Sequence, residues 1–228
     1  MKKSLALLSL MSATAATLHA QTDYEYRMEI GAGVGTVAYE GDFNGSILSN
    51  MQPMASVVLR RVLNPYMDLR LSAAYGKLKG SSKNVKTYLP DYVDNPYEFS
   101  SSLVDVSATY EYNFWPYGTG RDYRGARRVT PFVFGGIGVT SASGSGTSVF
   151  TANVPIGLGV KCKVAPRLNL GIEWAMHFSL SDSLDGIKDP YGIESSGMFK
   201  NTDCYSMLQL TLTYSFMPKC RTCHNADE

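Results

Sequence analysis

Five residues near the C-terminus, Cys220-Arg221-Thr222-Cys223-His224, have the C-x-x-C-H spacing of covalent c-type haem attachment. Only four residues follow, and no helical haem domain precedes. In an oxidising compartment the same two cysteines form a disulfide within the tail, the blander chemistry for that spacing. A second candidate centres on His177, with Ser179, Ser181, Asp182 and Asp185 close in sequence. Those types could supply the nucleophile, base and orienting acid of a hydrolase or acyltransferase, or simply a polar structural network. Gly31-Ala32-Gly33-Val34-Gly35 has the composition of a phosphate-binding loop, but such a loop must follow a strand and open a helix. The fourth candidate is a basic stretch: Arg121, Arg124, Arg127 and Arg128 stand against Asp122 alone between Trp115 and Thr130. It could dock an acidic partner by electrostatic steering, or be a solvated turn.

The elements that must position these residues alternate with period two. Tyr24, Tyr26, Met28, Ile30, Ala32 and Val34 interleave with Glu25, Arg27, Glu29, Gly31, Gly33 and Gly35. Successive strand side chains face opposite ways, so this segment has one apolar face and one charged or glycine-lined face. The glycines therefore sit inside a strand, and the nucleotide-loop reading falls. The same alternation recurs around residues 55–60, 67–76, 104–114, 133–139, 152–161, 167–178 and 208–216, giving eight strands. Short turns are expected at Leu63-Asn64-Pro65 and Ala165-Pro166, and long polar loops at about 40–51, 77–97, 141–149 and 181–202. Short turns at one end and long loops at the other characterise transmembrane barrels, and an even strand count puts both termini at the short-turn, periplasmic end.

Composition agrees. The 228 residues are 44% hydrophobic and 18% charged with a formal charge of +1, too balanced for a nucleic-acid binder. Met1–Ala20 reads as a secretory signal: Lys2 and Lys3, an apolar stretch from Leu5, then small residues to Ala20. Its cleavage removes two lysines and no acid, which turns the formal charge from +1 to −1. Beyond it, no apolar run approaches the roughly 18–20 residues of a membrane-spanning helix. The 15 Tyr and 21 Gly favour strands over helices.

Which face meets lipid follows from three features. The polar face carries many glycines, which suits a crowded lumen. Its charges nearly cancel: Glu25, Glu29, Asp68, Asp105, Glu111 and Glu173 against Arg27, Arg60, Arg70, Lys161 and Arg167. Aromatics gather at strand ends as in interfacial girdles: Tyr26, Tyr66, Tyr112, Phe114, Tyr214 and Phe216 at one rim, Tyr39, Tyr75, Phe150 and Phe178 at the other. The fold class is thus all-β, an eight-stranded antiparallel transmembrane β-barrel after a cleaved signal peptide. Its divisions are 1–20 signal peptide, 21–217 outer-membrane barrel and 218–228 periplasmic tail. Eight strands leave an interior that side chains can fill, which argues against a wide channel. Cys162 and Cys204 fall at opposite ends and should not pair.

The residues that follow carry a resemblance. Met28-Glu29-Ile30-Gly31 through Tyr39-Glu40-Gly41-Asp42, Asn64-Pro65-Tyr66 through Tyr75-Gly76, and Glu111-Tyr112-Asn113-Phe114 are three such runs. Thr130-Pro131-Phe132, Gly157 through Lys161, Asn169 through Trp174, Ser181 through Gly186 and the Thr213-Tyr214-Ser215-Phe216 ending complete the set. In this order and spacing the chain resembles the PorG-like outer-membrane barrels of Bacteroidota. The full C-x-x-C-H run is a departure from that family. The resemblance implies a non-enzymatic component of the type IX secretion system that associates with a periplasmic ring containing a lipoprotein. The expectation is therefore an outer-membrane protein contacting lipid and that ring, through Arg121, Arg124, Arg127 and Arg128. It has no catalytic or metal-ligating residues, no cofactor, no nucleic acid and no small-molecule substrate.

Overall fold

In the computed structural model, which describes residues 26–40, 51–81, 98–118, 126–144, 147–180 and 204–218, the eight strands form one closed barrel. They are β1 (Tyr26–Glu40), β2 (Gln52–Asn64), β3 (Met67–Ser81), β4 (Glu98–Asn113), β5 (Val129–Gly144), β6 (Thr147–Ala165), β7 (Leu168–Ser179) and β8 (Cys204–Pro218). Each pairs antiparallel with its sequence neighbour, and β1 closes on β8 from Tyr26 opposite Pro218 to Glu40 opposite Cys204. No strand edge is left unpaired, which removes the usual hazard of a solitary edge.

One end carries the short connections Pro65–Tyr66 and Pro166–Arg167, each beside a register shift (at Val62/Asn64 and Lys163/Ala165). The longer 114–128 connection lies at this end too: the Asn113 and Tyr117 amides donate to the Tyr66 and Pro65 carbonyls at 2.7 and 3.0 Å. The β1 start and β8 end share this rim. The opposite end carries the connections 41–51, 82–97, 145–146 and 181–203.

The period-two reading sets the faces correctly. Ile30, Val34, Val57, Leu71, Val106, Ile137, Leu158, Ile172 and Leu212 point outward, with Ile137 73% exposed. Glu29, Arg60, Asp68, Arg70, Asp105, Glu111, Lys161 and Glu173 point inward and are buried. A water-soluble barrel has the reverse arrangement.

Four details correct the sequence reading. The segment expected as a 141–149 loop is mostly strand: Ser141, Ala142, Ser143 and Gly144 pair with Phe150, Val149, Ser148 and Thr147. Small polar residues read as a loop, yet their backbones complete a ladder as well as any others. For the same reason β3 continues to Ser81, with Lys77–Ser81 opposite Ser102–Glu98. Arg27 and Arg167 are exposed rather than in the lumen. Arg167 lies in the β6–β7 turn, where its Nε and Nη1 donate to the Tyr26 and Tyr214 hydroxyls at 3.1 and 3.0 Å, tying two rim aromatics together. Finally, Tyr39 belongs to no girdle. It is fully buried in the lumen, in an apolar plug at the long-loop end with Val37, Met54, Leu78, Leu103, Ala142, Tyr205 and Met207.

Glycine makes room for this filling. The Phe134 and Phe132 rings face inward and lie over Gly157 and Gly159 of the next strand. A Cβ on Gly157 would meet Phe134 Cζ at 2.4 Å, and one on Gly159 would meet Phe132 Cζ at 2.8 Å.

Candidate functional site

The lumen is stratified, and each layer has its own chemistry. Lowest, near the short-connection rim, is an ion network drawn from six strands. Arg60 on β2 reaches Glu111 at 3.0 Å, Glu173 at 2.7 Å and Glu29 at 3.5 Å, from β4, β7 and β1. Arg70 on β3 joins Glu173 at 2.7 Å and Glu111 at 3.5 Å. Lys161 on β6 pairs with Asp68 and, at 3.2 Å, with Glu111. Every member is nearly inaccessible, so each carboxylate oxygen needs a partner within the protein. Gln209 Nε2 donates to Glu173 at 2.9 Å, Asn169 Nδ2 to Glu29 at 3.1 Å and Asn113 Nδ2 to Asp68 at 3.2 Å. The Phe134 ring lies 5.0 Å from the Arg70 guanidinium, and the Phe132 ring 5.0 Å from the Lys161 ammonium. Lys163, which sequence reasoning missed because it follows the charged alternation into the turn, is buried here as well.

Below this network lie residues 114–118 and 126–128 of the β4–β5 connection. Tyr117 is drawn under the lumen, where its hydroxyl donates to Asn169 Oδ1 at 3.0 Å and its ring lies 5.2 Å from the Lys161 ammonium. Burial pushes the Tyr117 phenol well above its ordinary range, so it remains a neutral donor. Trp115 is clamped by Thr130: its amide donates to Thr130 Oγ1 at 3.1 Å, and that hydroxyl bonds back to its carbonyl. The Arg127 amide donates to the Pro116 carbonyl at 2.7 Å, and its carbonyl accepts from the Gly118 amide at 3.0 Å. The two described ends of the connection, 114–118 and 126–128, thus bond to each other at the barrel end. Arg127 and Arg128 are exposed there, with the Arg127 guanidinium 4.9 Å over the Trp115 ring. Arg121 and Arg124 fall outside the described residues.

Above the ion network lies the second polar layer, where His177 sits on the lumen face near the long-loop end, as its phase requires. Asp105 Oδ2 accepts from Tyr205 at 2.8 Å, Thr140 at 3.1 Å and Asn153 at 2.6 Å, and His177 Nδ1 stands 3.6 Å away. The imidazole stacks on the Tyr205 ring, centroids 4.7 Å apart. No hydroxyl or thiol among the described residues hydrogen-bonds to Nδ1. Ser179 is buried at the next lumen position, while Ser181, Asp182 and Asp185 lie outside the described residues. Nδ1 faces Asp105 and Ser179 follows on the lumen phase, so the described residues hold a buried Asp–His pair. Cys162 is opposite Val129 and Leu170 near one rim, and Cys204 opposite Phe178 at the other, so they stand apart and form no disulfide with each other. Cys220, Cys223 and His224 lie outside the described residues.

Ion network, polar layer and apolar plug follow one another along the lumen, with a cavity of about 20 Å³ between the first two, lined by Arg70, Asp105, His177 and Gln209. Reconstituted in a planar bilayer, the barrel is expected to give no single-channel conductance steps. A stable open-channel current would contradict this packing.

A family model described as Domain of unknown function (DUF6089) matches residues 3–225. No curated protein matches the sequence. Among solved structures, Neisserial surface protein A is 14% identical with a TM-score of 0.49, covering 83% of this chain and 97% of its own. The outer membrane protein OprG from Pseudomonas aeruginosa is 10% identical at 0.48, covering 86% and 98%. The outer membrane enzyme PagL is 16% identical at 0.40, covering 82% and 99%.

Proposed function

We propose, from the premise that this chain belongs to the DUF6089 family, that it is a non-enzymatic outer-membrane barrel serving protein secretion of the type IX kind. A periplasmic ring containing a lipoprotein docks at its short-connection end. The inverted faces support the membrane placement, because hydrocarbon tolerates a span only when the backbone is fully paired and the outer side chains are apolar. A lumen packed with ion pairs supports a structural role over transport. The resemblance to PorG-like barrels supports the secretion machine in particular.

One observation carries the docking claim. The 114–128 connection is far longer than its two-residue neighbours, and its described ends, 114–118 and 126–128, are tied down through Tyr117, Thr130 and Arg127 and expose Arg127 and Arg128. A solvated turn has no need of such anchoring. A preorganised basic surface, by contrast, raises the encounter rate with an acidic partner and fixes its register. The test is a photo-crosslinking residue in place of Ala126, activated in intact cells of the native organism. A crosslink to a periplasmic lipoprotein is the expected result, and a barrel crosslinked only to lipid or to nothing would overturn the docking claim.

A further inference from the structure

The barrel exterior is not uniformly smooth. Over β4 to β7 it holds an open apolar groove of about 600 Å³ whose walls include Tyr110, Ile156, Leu158, Trp174 and Phe178. That size lies within the roughly 300–1,000 Å³ of clefts that hold small ligands. Its floor is Gly135, the outward-phase position of β5 between Val133 and Ile137, where a barrel strand would ordinarily present a large apolar side chain. The gap is not forced by crowding. A Cβ built on Gly135 would meet only the Pro155 carbonyl oxygen, at an ordinary 3.7 Å. This contrasts with the inward-facing Gly157 and Gly159, which are obliged to be glycine by the phenylalanine rings above them.

The groove continues toward the short-connection rim as a track of exposed aromatics. Tyr112 meets Phe114 edge to face with centroids 5.8 Å apart, and exposed Trp115 follows with the Arg127 guanidinium over its ring. The track therefore begins apolar inside the belt and ends in a cation at the interface, which is the polarity of a phospholipid. The length matches as well. From Gly135 to Val129 is about 20 Å of strand at ~3.3 Å per residue. A tilt of about 40° reduces this to about 15 Å along the normal, the depth of one leaflet in a hydrocarbon core ~30 Å thick.

We propose that this groove is a binding site for one glycerophospholipid of the leaflet at the short-connection side, one acyl chain lying over Gly135 and the phosphate meeting Arg127. A freely exchanging boundary lipid would need neither the missing side chain nor the cation in line with it. The site rests on the membrane reading of the barrel, and an acyl chain there would brace the wall from which the 114–128 connection hangs.

The experiment is native mass spectrometry of the full-length protein in detergent, titrated with palmitoyl-oleoyl phosphatidylglycerol. Variants Gly135→Leu, Arg127→Glu and, as a control on a remote outward position, Ala73→Leu are compared with the parent. Gel mobility before and after heating reports the folded barrel separately. The proposal expects a one-lipid complex in the parent and in Ala73→Leu, weakened about tenfold in both groove variants. It is overturned if heat-modifiable variants retain the lipid as the parent does, or if the parent holds none. A disulfide formed between copies through Ile156→Cys would likewise overturn it, by assigning the groove to a second copy. Loss of heat-modifiable migration in the parent would instead strike the membrane reading itself.

Discussion

Arg60→Met is expected to lower the stability of the folded barrel by about 3–5 kcal/mol, the cost of leaving buried charges without their partner. Arg60 is the only side chain that bridges Glu29, Glu111 and Glu173 among the described residues, and its removal concentrates negative charge in a region water cannot reach. Methionine keeps the stem and most of the volume, so the loss reports charge and hydrogen bonding rather than a cavity. Total stabilities of folded domains are typically about 5–15 kcal/mol, so such a loss would show as a large shift of the urea midpoint in detergent micelles. Neutralising an acceptor should return part of it, so Arg60→Met with Glu173→Gln should be more stable than Arg60→Met alone. The double-mutant cycle measures that coupling. An unchanged midpoint in Arg60→Met would mean that the lumen is wet enough to hydrate three carboxylates.

Reversing the basic connection is expected to have the largest effect on function while sparing the fold. Converting the four arginines of the connection, Arg121, Arg124, Arg127 and Arg128, to Glu would turn the proposed attraction to an acidic partner into repulsion, and like charges facing each other across an interface cost several kcal/mol. The crosslink from position 126 should fall by at least about tenfold, since each 1.4 kcal/mol is a factor of ten. The barrel itself should migrate normally. The Arg127 amide and carbonyl bonds to Pro116 and Gly118 are made by the backbone and survive the change, while the stacking of Arg127 on Trp115, worth about 0.5–1 kcal/mol at an exposed site, is lost. The residual crosslink of the parent should weaken with added salt, because exposed charges are screened over roughly 10 Å at 0.1 M. A charge-reversed connection that crosslinks as well as the parent would remove electrostatics from the docking.

The strand number, the inverted faces and the loop-side position of His177 are all legible in the sequence, because period two is fixed by backbone geometry along the middle of each strand. What escaped was whatever alternation does not encode. Ser141–Gly144 are small and polar, so nothing in their side chains announces a strand; only the pairing with Thr147–Phe150 does. Tyr39 and Val37 keep the lumen phase but are apolar, and a rule that assigns aromatic strand ends to the girdle misplaces Tyr39. Arg27 and Arg167 keep the charged phase or its neighbourhood but sit at the rim, where long side chains turn outward to water or to tyrosine hydroxyls. For the candidate site, the arginine count was visible in the sequence. The anchoring of the connection that carries Arg127 and Arg128 was not, because it depends on Tyr117 reaching under the lumen to Asn169, a contact between residues 52 apart. Gly135 was likewise invisible as a groove floor, since glycine on the outward phase reads as a mere interruption.

The barrel, its packed lumen and its exposed Arg127 and Arg128 are geometry, and the secretion role joins that geometry to a family resemblance. The measurement that tests this role most directly is the extracellular proteome of a strain of the native organism lacking the gene, with and without complementation by the intact gene. The account predicts that proteins exported through the type IX route are retained in the deletion strain and return to the medium on complementation. Normal export in the deletion strain would contradict it.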